Sequence, residues 1–116
     1  RGLMDRAAAL DETVDHGGPA RALGAWYAAL PAGSGGGAKK SRTWFDRALK
    51  VAPSYLLTKV EEARTYAVLV QDRALFERLL GEVASFDLDK APAIRRENAV
   101  AKREAKTLRA RADRLF

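Results

Sequence analysis

Cysteine is absent from the 116 residues, and histidine occurs once, as His16. Without cysteine the chain forms neither a disulfide framework nor a thiolate zinc site, and one histidine cannot build the usual multi-histidine metal site. Apolar runs of membrane-spanning length are also missing. β-Branched residues are few beside alanine, leucine and arginine, which favours helix over strand. The composition therefore indicates a helical domain without a metal site or a cofactor.

A chain of 116 residues is long enough for one domain with a single core, and leaves little for a deep enclosed site. It begins with Arg1 and not with methionine. We therefore expect residues 1–116 to form a single helical-repeat domain that lacks an upstream leader and the first helix or helices.

The formal net charge of +6 lies entirely in residues 90–116. This segment has nine basic and three acidic residues, whereas residues 1–89 have twelve of each sign. Three of these cations recur every seven residues: Arg95, Lys102 and Arg109. Because Glu97 and Glu104 interrupt the basic run, we expect no nucleic-acid binding. A solvated face, or contact with an acidic protein or lipid headgroups, is the favoured interpretation.

Apolar residues at helical spacing predict six helices. They cover residues 3–16, 19–30, 39–51, 55–71, 73–86 and the segment from residue 92 to the C-terminus. Pro19 suits a first helical turn, and Ser54 and Asp72 are expected to cap the helices that follow them. The predicted fold is all-α, with antiparallel helix pairs stacked on one another.

One pair of predicted helices has the residue order of a tetratricopeptide-like repeat. Gly24 and Tyr27 lie on the first helix, and Phe45, Ala48 and Pro53 mark the second. Such a repeat has about 16 residues between the small position and the phenylalanine position, whereas Gly24 and Phe45 are 45 − 24 = 21 apart. We therefore predict degenerate repeats with an expanded glycine-rich turn at residues 33–37.

No arrangement of residues predicts catalysis. The segment GSGGGAKKS at residues 33–41 is not a phosphate-binding loop, because Ala38 and Lys40 occupy its glycine and hydroxyl positions and a helix precedes it. Glu61 and Glu62 are neighbours in sequence, and adjacent residues of a helix do not face each other. We expect a protein that is not an enzyme.

Two adjacent aromatic pairs, Trp26-Tyr27 and Trp44-Phe45, lie on the central helices. Adjacent residues point in different directions on a helix, so one member of each pair must leave the core stripe. We assign Phe45 to the core and keep two interpretations for the other aromatic residues, core packing and a ligand groove between helices. The predicted ligand-binding residues are Trp26, Tyr27, Trp44, Tyr55, Tyr66 and Asn98.

The last helix has a narrow stripe of mostly small residues with a seven-residue period. Its members are Ile94, Asn98, Ala101, Ala105, Leu108, Ala112 and Leu115. Small side chains allow close approach to a neighbouring helix, and a seven-residue period also suits a contact between subunits. We favour the internal contact. A buried Asn98 needs hydrogen-bond partners, for which we favour neighbouring backbone over a ligand.

Several of these segments, in this order, resemble the T-component of TRAP transporters. They are Gly-Gly-Pro at 17–19, Leu-Gly at 23–24 with Tyr27, the glycine-rich turn before Phe-Asp-Arg-Ala at 45–48, Tyr-Ala-Val at 66–68, Gln-Asp-Arg-Ala-Leu-Phe at 71–76 with Leu-Leu at 79–80, Asn-Ala-Val-Ala-Lys at 98–102 and Ala-Asp-Arg-Leu-Phe at 112–116. They span nearly the whole chain.

The resemblance implies an all-helical repeat protein of the bacterial periplasm, made with a signal or lipid-anchored leader. It also implies association with the extracytoplasmic solute-binding protein, a groove for a small hydrophobic ligand, and self-association. The membrane would be reached only through an upstream lipid anchor. The alternative is a cytoplasmic tetratricopeptide-like adaptor that binds peptides.

Overall fold

The computed structural model describes residues 18–30 and 37–116, and all regular elements in these two ranges are helical. The α-helices are α1 (Gly18–Ala29), α2 (Ala38–Val51), α3 (Leu57–Glu62), α4 (Arg73–Ser85), α5 (Arg95–Arg109) and α6 (Ala112–Leu115). A π-helical turn, Ala63–Ala67, continues α3, and the 3-10 turns Leu88–Lys90 and Pro92–Ile94 precede α5. The predicted all-α fold is confirmed, whereas its division into tetratricopeptide-like repeats stays a prediction.

Two predictions fall outside the part of the chain that the structure describes. These are the helix at residues 3–16, which contains His16, and most of the expanded turn at residues 33–37. Gly37, the last residue of that turn, has a φ of 108°, which a side chain would strain.

Helices α1 and α2 pack against each other at Gly24. A Cβ atom built on Gly24 would lie 2.7 Å from the ring of Phe45, so only glycine leaves room for this ring. The Ser41 hydroxyl donates a 2.7 Å hydrogen bond to the Gly24 carbonyl, and Ser41 is itself buried. The small residue and the aromatic residue predicted for the helix pair therefore meet in one contact.

The main core lies where α3 and its π turn pack against α4 and α5. Its buried members are Phe45, Leu56, Val60, Ala63, Tyr66, Ala67, Leu75, Phe76, Leu79, Leu80, Val83, Ala101, Ala105, Leu108 and Ala112. The last four, together with the buried Asn98, belong to the seven-residue stripe. The internal placement of that stripe is therefore confirmed.

The two predicted caps have different outcomes. The Asp72 carboxylate accepts a 3.0 Å hydrogen bond from the Leu75 N–H, so Asp72 caps α4 as predicted. The cap predicted at Ser54 is wrong, because the chain turns once more before α3 begins. Leu56 occupies the N-cap position without a side-chain hydrogen bond, and the Tyr55 N–H bonds to the Ala52 carbonyl in that extra turn.

The last predicted helix is not continuous. It breaks at Ala110 and Arg111, where the Arg111 N–H bonds to the Leu108 carbonyl, and α6 follows. The break brings Phe116 back onto the core, where its ring packs edge to face against Phe76 with the centroids 5.0 Å apart. The break thus allows a partly buried aromatic contact at the C-terminus.

Candidate functional site

The aromatic pairs divide as predicted between core and surface. Tyr27 and Phe45 are buried, whereas Trp26 is 36% exposed and Trp44 is half-buried. Tyr27 forms a small cluster with Leu23, against which Trp44 packs. The Trp26 and Tyr27 rings meet edge to face, with 5.1 Å between their centroids.

The other two predicted rings lie apart from this cluster, each beneath an arginine. The guanidinium carbon of Arg21 is 4.7 Å from the centroid of Tyr55, and that of Arg42 is 5.8 Å from the centroid of Tyr66. These distances are those of cation–π contacts. The ligand-binding role of the aromatic residues stays a prediction.

Asn98 is fully buried at the beginning of α5. Its Oδ1 accepts a 3.0 Å hydrogen bond from the Leu56 N–H, and its Nδ2 donates a 2.9 Å hydrogen bond to the Ser54 carbonyl. The favoured interpretation, hydrogen bonding to neighbouring backbone, is therefore confirmed. A ligand contact by Asn98 stays a prediction, and these two bonds occupy both ends of its amide.

An open groove of about 410 Å³ runs between α4 and α5. Its floor consists of Leu80, Ala84, Ala105 and Ala110, and its rim consists of Lys102, Lys106 and Arg109. The alanines are too short to fill the space between the helices at the surface. The groove therefore combines an apolar floor with a rim of positive charge.

The rim cations differ in their bonding within the chain. Lys102 Nζ donates to the Ala84 carbonyl at 2.8 Å, and Arg109 Nε lies 3.1 Å from a Glu77 carboxylate oxygen. Arg95, the third member of the seven-residue basic row, pairs with Asp89. Lys106 makes no side-chain hydrogen bond or ion pair within the described residues, so its ammonium is available to a ligand.

A second cleft, of about 260 Å³, lies where α2, α3 and α4 meet. Leu49, Pro53 and Leu79 form its apolar wall, and its charged residues are Arg42, Asp46, Lys59, Glu62, Arg78 and Glu82. Glu62 is 2% exposed, and its Oε1 has no hydrogen-bond partner.

The environment of the cleft alters the protonation of Glu62. Burial raises the pKa of Glu62 to about 7, with Asp46 and Glu82 adding to the rise and Arg42 and Arg78 opposing it. Desolvation disfavours the charged carboxylate, which is why burial is the dominant cause. Glu62 is therefore a buried acid that changes its charge near neutral pH.

The sequence model of the TRAP transporter T-component family matches residues 1–116. The chain belongs to the TRAP transporter T-component family. A search of curated proteins finds no match to the chain. The resemblance inferred from the ordered helix-packing segments is thus confirmed over the whole chain, and membership gives this T-component an accessory role in TRAP transport.

Within the described ranges, no group of three or more histidine, cysteine, aspartate or glutamate side chains is arranged to hold a metal ion. Nor does any helix in those ranges combine the length and the apolar character required to cross a bilayer. The groove between α4 and α5 and the cleft where α2, α3 and α4 meet are two surface features of this T-component that offer binding chemistry.

Glu62 was not predicted as a site residue, because the sequence pattern at Glu61 and Glu62 was interpreted only as a candidate acid pair. The structure separates them: Glu61 pairs with Arg64, whereas Glu62 is buried. Thr58, Glu62 and Tyr66 are spaced by four residues and are all buried. That spacing was the available signal, since it places Glu62 on an inward face of the helix.

Proposed function

We propose that this T-component is a non-enzymatic periplasmic accessory protein that binds the extracytoplasmic solute-binding protein of its TRAP system and a small hydrophobic ligand. The whole-chain family match supports the transport role. The groove between α4 and α5 supports ligand binding, because its volume of about 410 Å³ is within the range of small-molecule sites.

The lining of the groove favours a particular kind of hydrophobic ligand. Leu80, Ala84 and Ala105 offer an apolar surface to a hydrocarbon body. Lys106, which has no partner within the described residues, offers an ammonium to a negative end group. The ligand that fits both features is an amphiphile with an apolar body and an anionic head.

Titration with decanoate, followed by calorimetry, tests this part of the proposal. Decanoate is expected to bind saturably and at least about tenfold more tightly than decyltrimethylammonium, because the rim repels a cation. Lys106→Glu should weaken decanoate binding at least about tenfold. Lys90→Glu is the matched control, since Lys90 is exposed outside the groove and its change should have little effect.

Equal affinity for both amphiphiles, or an equal loss of decanoate affinity in the two lysine variants, would show that the groove is not the ligand site.

Association with the solute-binding protein is tested separately by co-purification with the solute-binding protein encoded beside this gene. A complex that survives chromatography supports the proposal. Capture of a cytoplasmic client peptide and no binding of the solute-binding protein would select the peptide-binding adaptor instead.

The periplasmic location is tested by the coding sequence upstream of Arg1 and by cell fractionation. A leader that ends in a lipid-anchor cysteine, with the protein in the membrane-associated periplasmic fraction, is the expected result. A cytoplasmic full-length protein would contradict it.

Self-association is tested by sedimentation velocity. Ala101, Ala105 and Ala112 are buried within the chain, so the seven-residue stripe is not open to a second copy. An oligomer would therefore have to use another surface, and a single monomeric species at all concentrations would contradict self-association.

A further inference from the structure

We propose that the cleft between α2, α3 and α4 is a binding site for a primary ammonium group, with the Glu62 carboxylate as its main acceptor. This site is distinct from the groove between α4 and α5, and the inference does not depend on the proposed transport role.

The first observation is the missing partner of a buried oxygen. Glu62 is 2% exposed, and Oε1 receives no hydrogen bond from the protein. Buried polar atoms in folded proteins nearly always have a partner, and an unpaired one costs about 1–3 kcal/mol, more when it is charged. Because Glu62 lines an open cleft, a donor from outside can reach its carboxyl group.

The second observation is that the cations of the cleft are engaged with other groups. Arg78 Nη1 lies 3.3 Å from one Glu82 carboxylate oxygen, and Lys59 Nζ lies 3.2 Å from the other. Arg42 Nε lies 3.9 Å from Asp46, and the Arg42 guanidinium faces the Tyr66 ring. None of these three cations comes within ion-pair distance of the Glu62 carboxylate.

The chemistry of the cleft selects a monovalent nitrogen cation. The described residues provide no group of acids arranged for a metal ion. A primary ammonium has three N–H donors, so it can donate a hydrogen bond to Glu62 and another to a second acceptor. Asp46 supplies that second acceptor, since its carboxylate lines the same cleft. Leu49, Pro53 and Leu79 can cover the alkyl chain that bears the ammonium.

A primary ammonium could reach the cleft from two sources, a free small amine or the lysine side chain of a partner protein. Both sources present the same group, and the cleft volume of about 260 Å³ limits the ligand to a small molecule or to the end of a side chain.

Calorimetric titration of the protein with n-butylamine at pH 8 tests the site. We expect saturable binding with a Kd on the order of 1 mM, as suits a ligand of few atoms. Tetramethylammonium, which has the charge but no N–H donor, and n-butanol, which has no charge, should each bind at least about tenfold more weakly.

Glu62→Gln is the decisive variant, because it keeps the size of the side chain and removes its charge. It also removes a buried ionisable group, so it should fold at least as well as the wild type. Butylamine affinity should fall at least about tenfold in Glu62→Gln. Glu61→Gln is the matched control, since Glu61 pairs with Arg64 and does not line the cleft, and its affinity should be unchanged.

The pH dependence gives a second measurement. An ammonium binds the ionised carboxylate, so it must displace the proton of Glu62, whose pKa is raised to about 7. Butylamine affinity should therefore rise about tenfold from pH 6 to pH 8, and Glu62→Gln should abolish the rise. The charged groups facing Glu62 are Arg42 and Asp46 of α2, Lys59 of α3, and Arg78 and Glu82 of α4.

The outcomes separate the proposal from its alternatives. The absence of saturable butylamine binding to the wild type, or equal affinity in Glu62→Gln and the wild type, would overturn it. If Nα-acetyl-lysine N-methylamide also binds with the same dependence on Glu62, the site accepts a lysine of a partner protein. If only butylamine binds, the site is for a free amine.

Discussion

The contact between α1 and α2 and the contact between α4 and α5 both depend on small residues, but only the second leaves a groove. At Gly24 the missing side chain is replaced by the ring of Phe45, which fills the space. Between α4 and α5, Ala84 and Ala105 both line the groove, which stays open beside the long side chains of Lys102, Lys106 and Arg109. In this protein the small residue at the first contact is matched by a large residue opposite it, whereas the small residues at the second contact leave an open groove.

The largest expected effect on the contact between α4 and α5 comes from removing the hydrogen bonds that anchor α5. Asn98→Ala would leave the buried Leu56 N–H and Ser54 carbonyl without partners. We expect a loss of about 3 kcal/mol in the free energy of unfolding, measured by urea denaturation. Val100→Ala, at an exposed position of the same helix, is the control and should change stability little. A loss below about 1 kcal/mol would show that α5 does not depend on this amide.

Asn98 also shows what the sequence could predict. Its place on the seven-residue stripe predicted burial and a backbone hydrogen bond, and Asp72 was recognisable as a cap because its role is local. The division of adjacent aromatic residues between core and surface was also predictable, because neighbouring residues of a helix point in different directions. Helical periodicity thus specified which faces are buried.

Features that depend on tertiary packing were not predictable in the same way. The extra turn before Leu56 and the break at Ala110 depend on where the chain must go next, and the helical pattern continues through the break. One cleft forms where α2, α3 and α4 meet, and the groove forms between α4 and α5. Neither can be predicted from a single segment of the sequence. Glu62 lies in a cleft with residues of α2 and α4, the helices before and after its own, so its burial depends on how these three helices pack together.

The cleft at Glu62 differs from both helix contacts because its stability should depend on pH. The folded-state pKa of Glu62, about 7, is above its usual value. The folded protein therefore binds this proton more tightly than the unfolded chain, and stability falls as pH rises. Wild-type stability should fall by about 2 kcal/mol from pH 5 to pH 8, relative to Glu62→Gln, in urea denaturation at several pH values. Parallel curves for the two proteins would contradict the raised pKa.

Two helical glycines test the close contact directly. Gly24→Ala places a Cβ 2.7 Å from the Phe45 ring and should cost about 1–2 kcal/mol, despite the better helix propensity of alanine. A Cβ at Gly81 meets no atom within 4 Å, so Gly81→Ala should instead stabilise the protein by up to about 1 kcal/mol. Thermal unfolding of both variants measures the difference, and equal shifts in the two would show that Gly24 is not a packing requirement.

The smallest expected effect on stability comes from filling the groove. Ala84 lines the groove and is exposed, so Ala84→Leu should change the free energy of unfolding by less than about 0.5 kcal/mol. The same change should weaken decanoate binding by occupying the space between α4 and α5. A large loss of stability would show that the groove is part of the tightly packed core.

Both tryptophans lie on α1 and α2, so tryptophan fluorescence reports on this part of the protein. Trp26 lies on α1 and Trp44 on α2, and the chain has no other tryptophan. Indole emission therefore follows the helix pair held by Gly24 and Phe45, whereas far-ultraviolet circular dichroism follows all the helices. Coincident transitions would indicate cooperative unfolding. An earlier change in emission would mean that α1 and α2 separate before α3, α4 and α5 unfold.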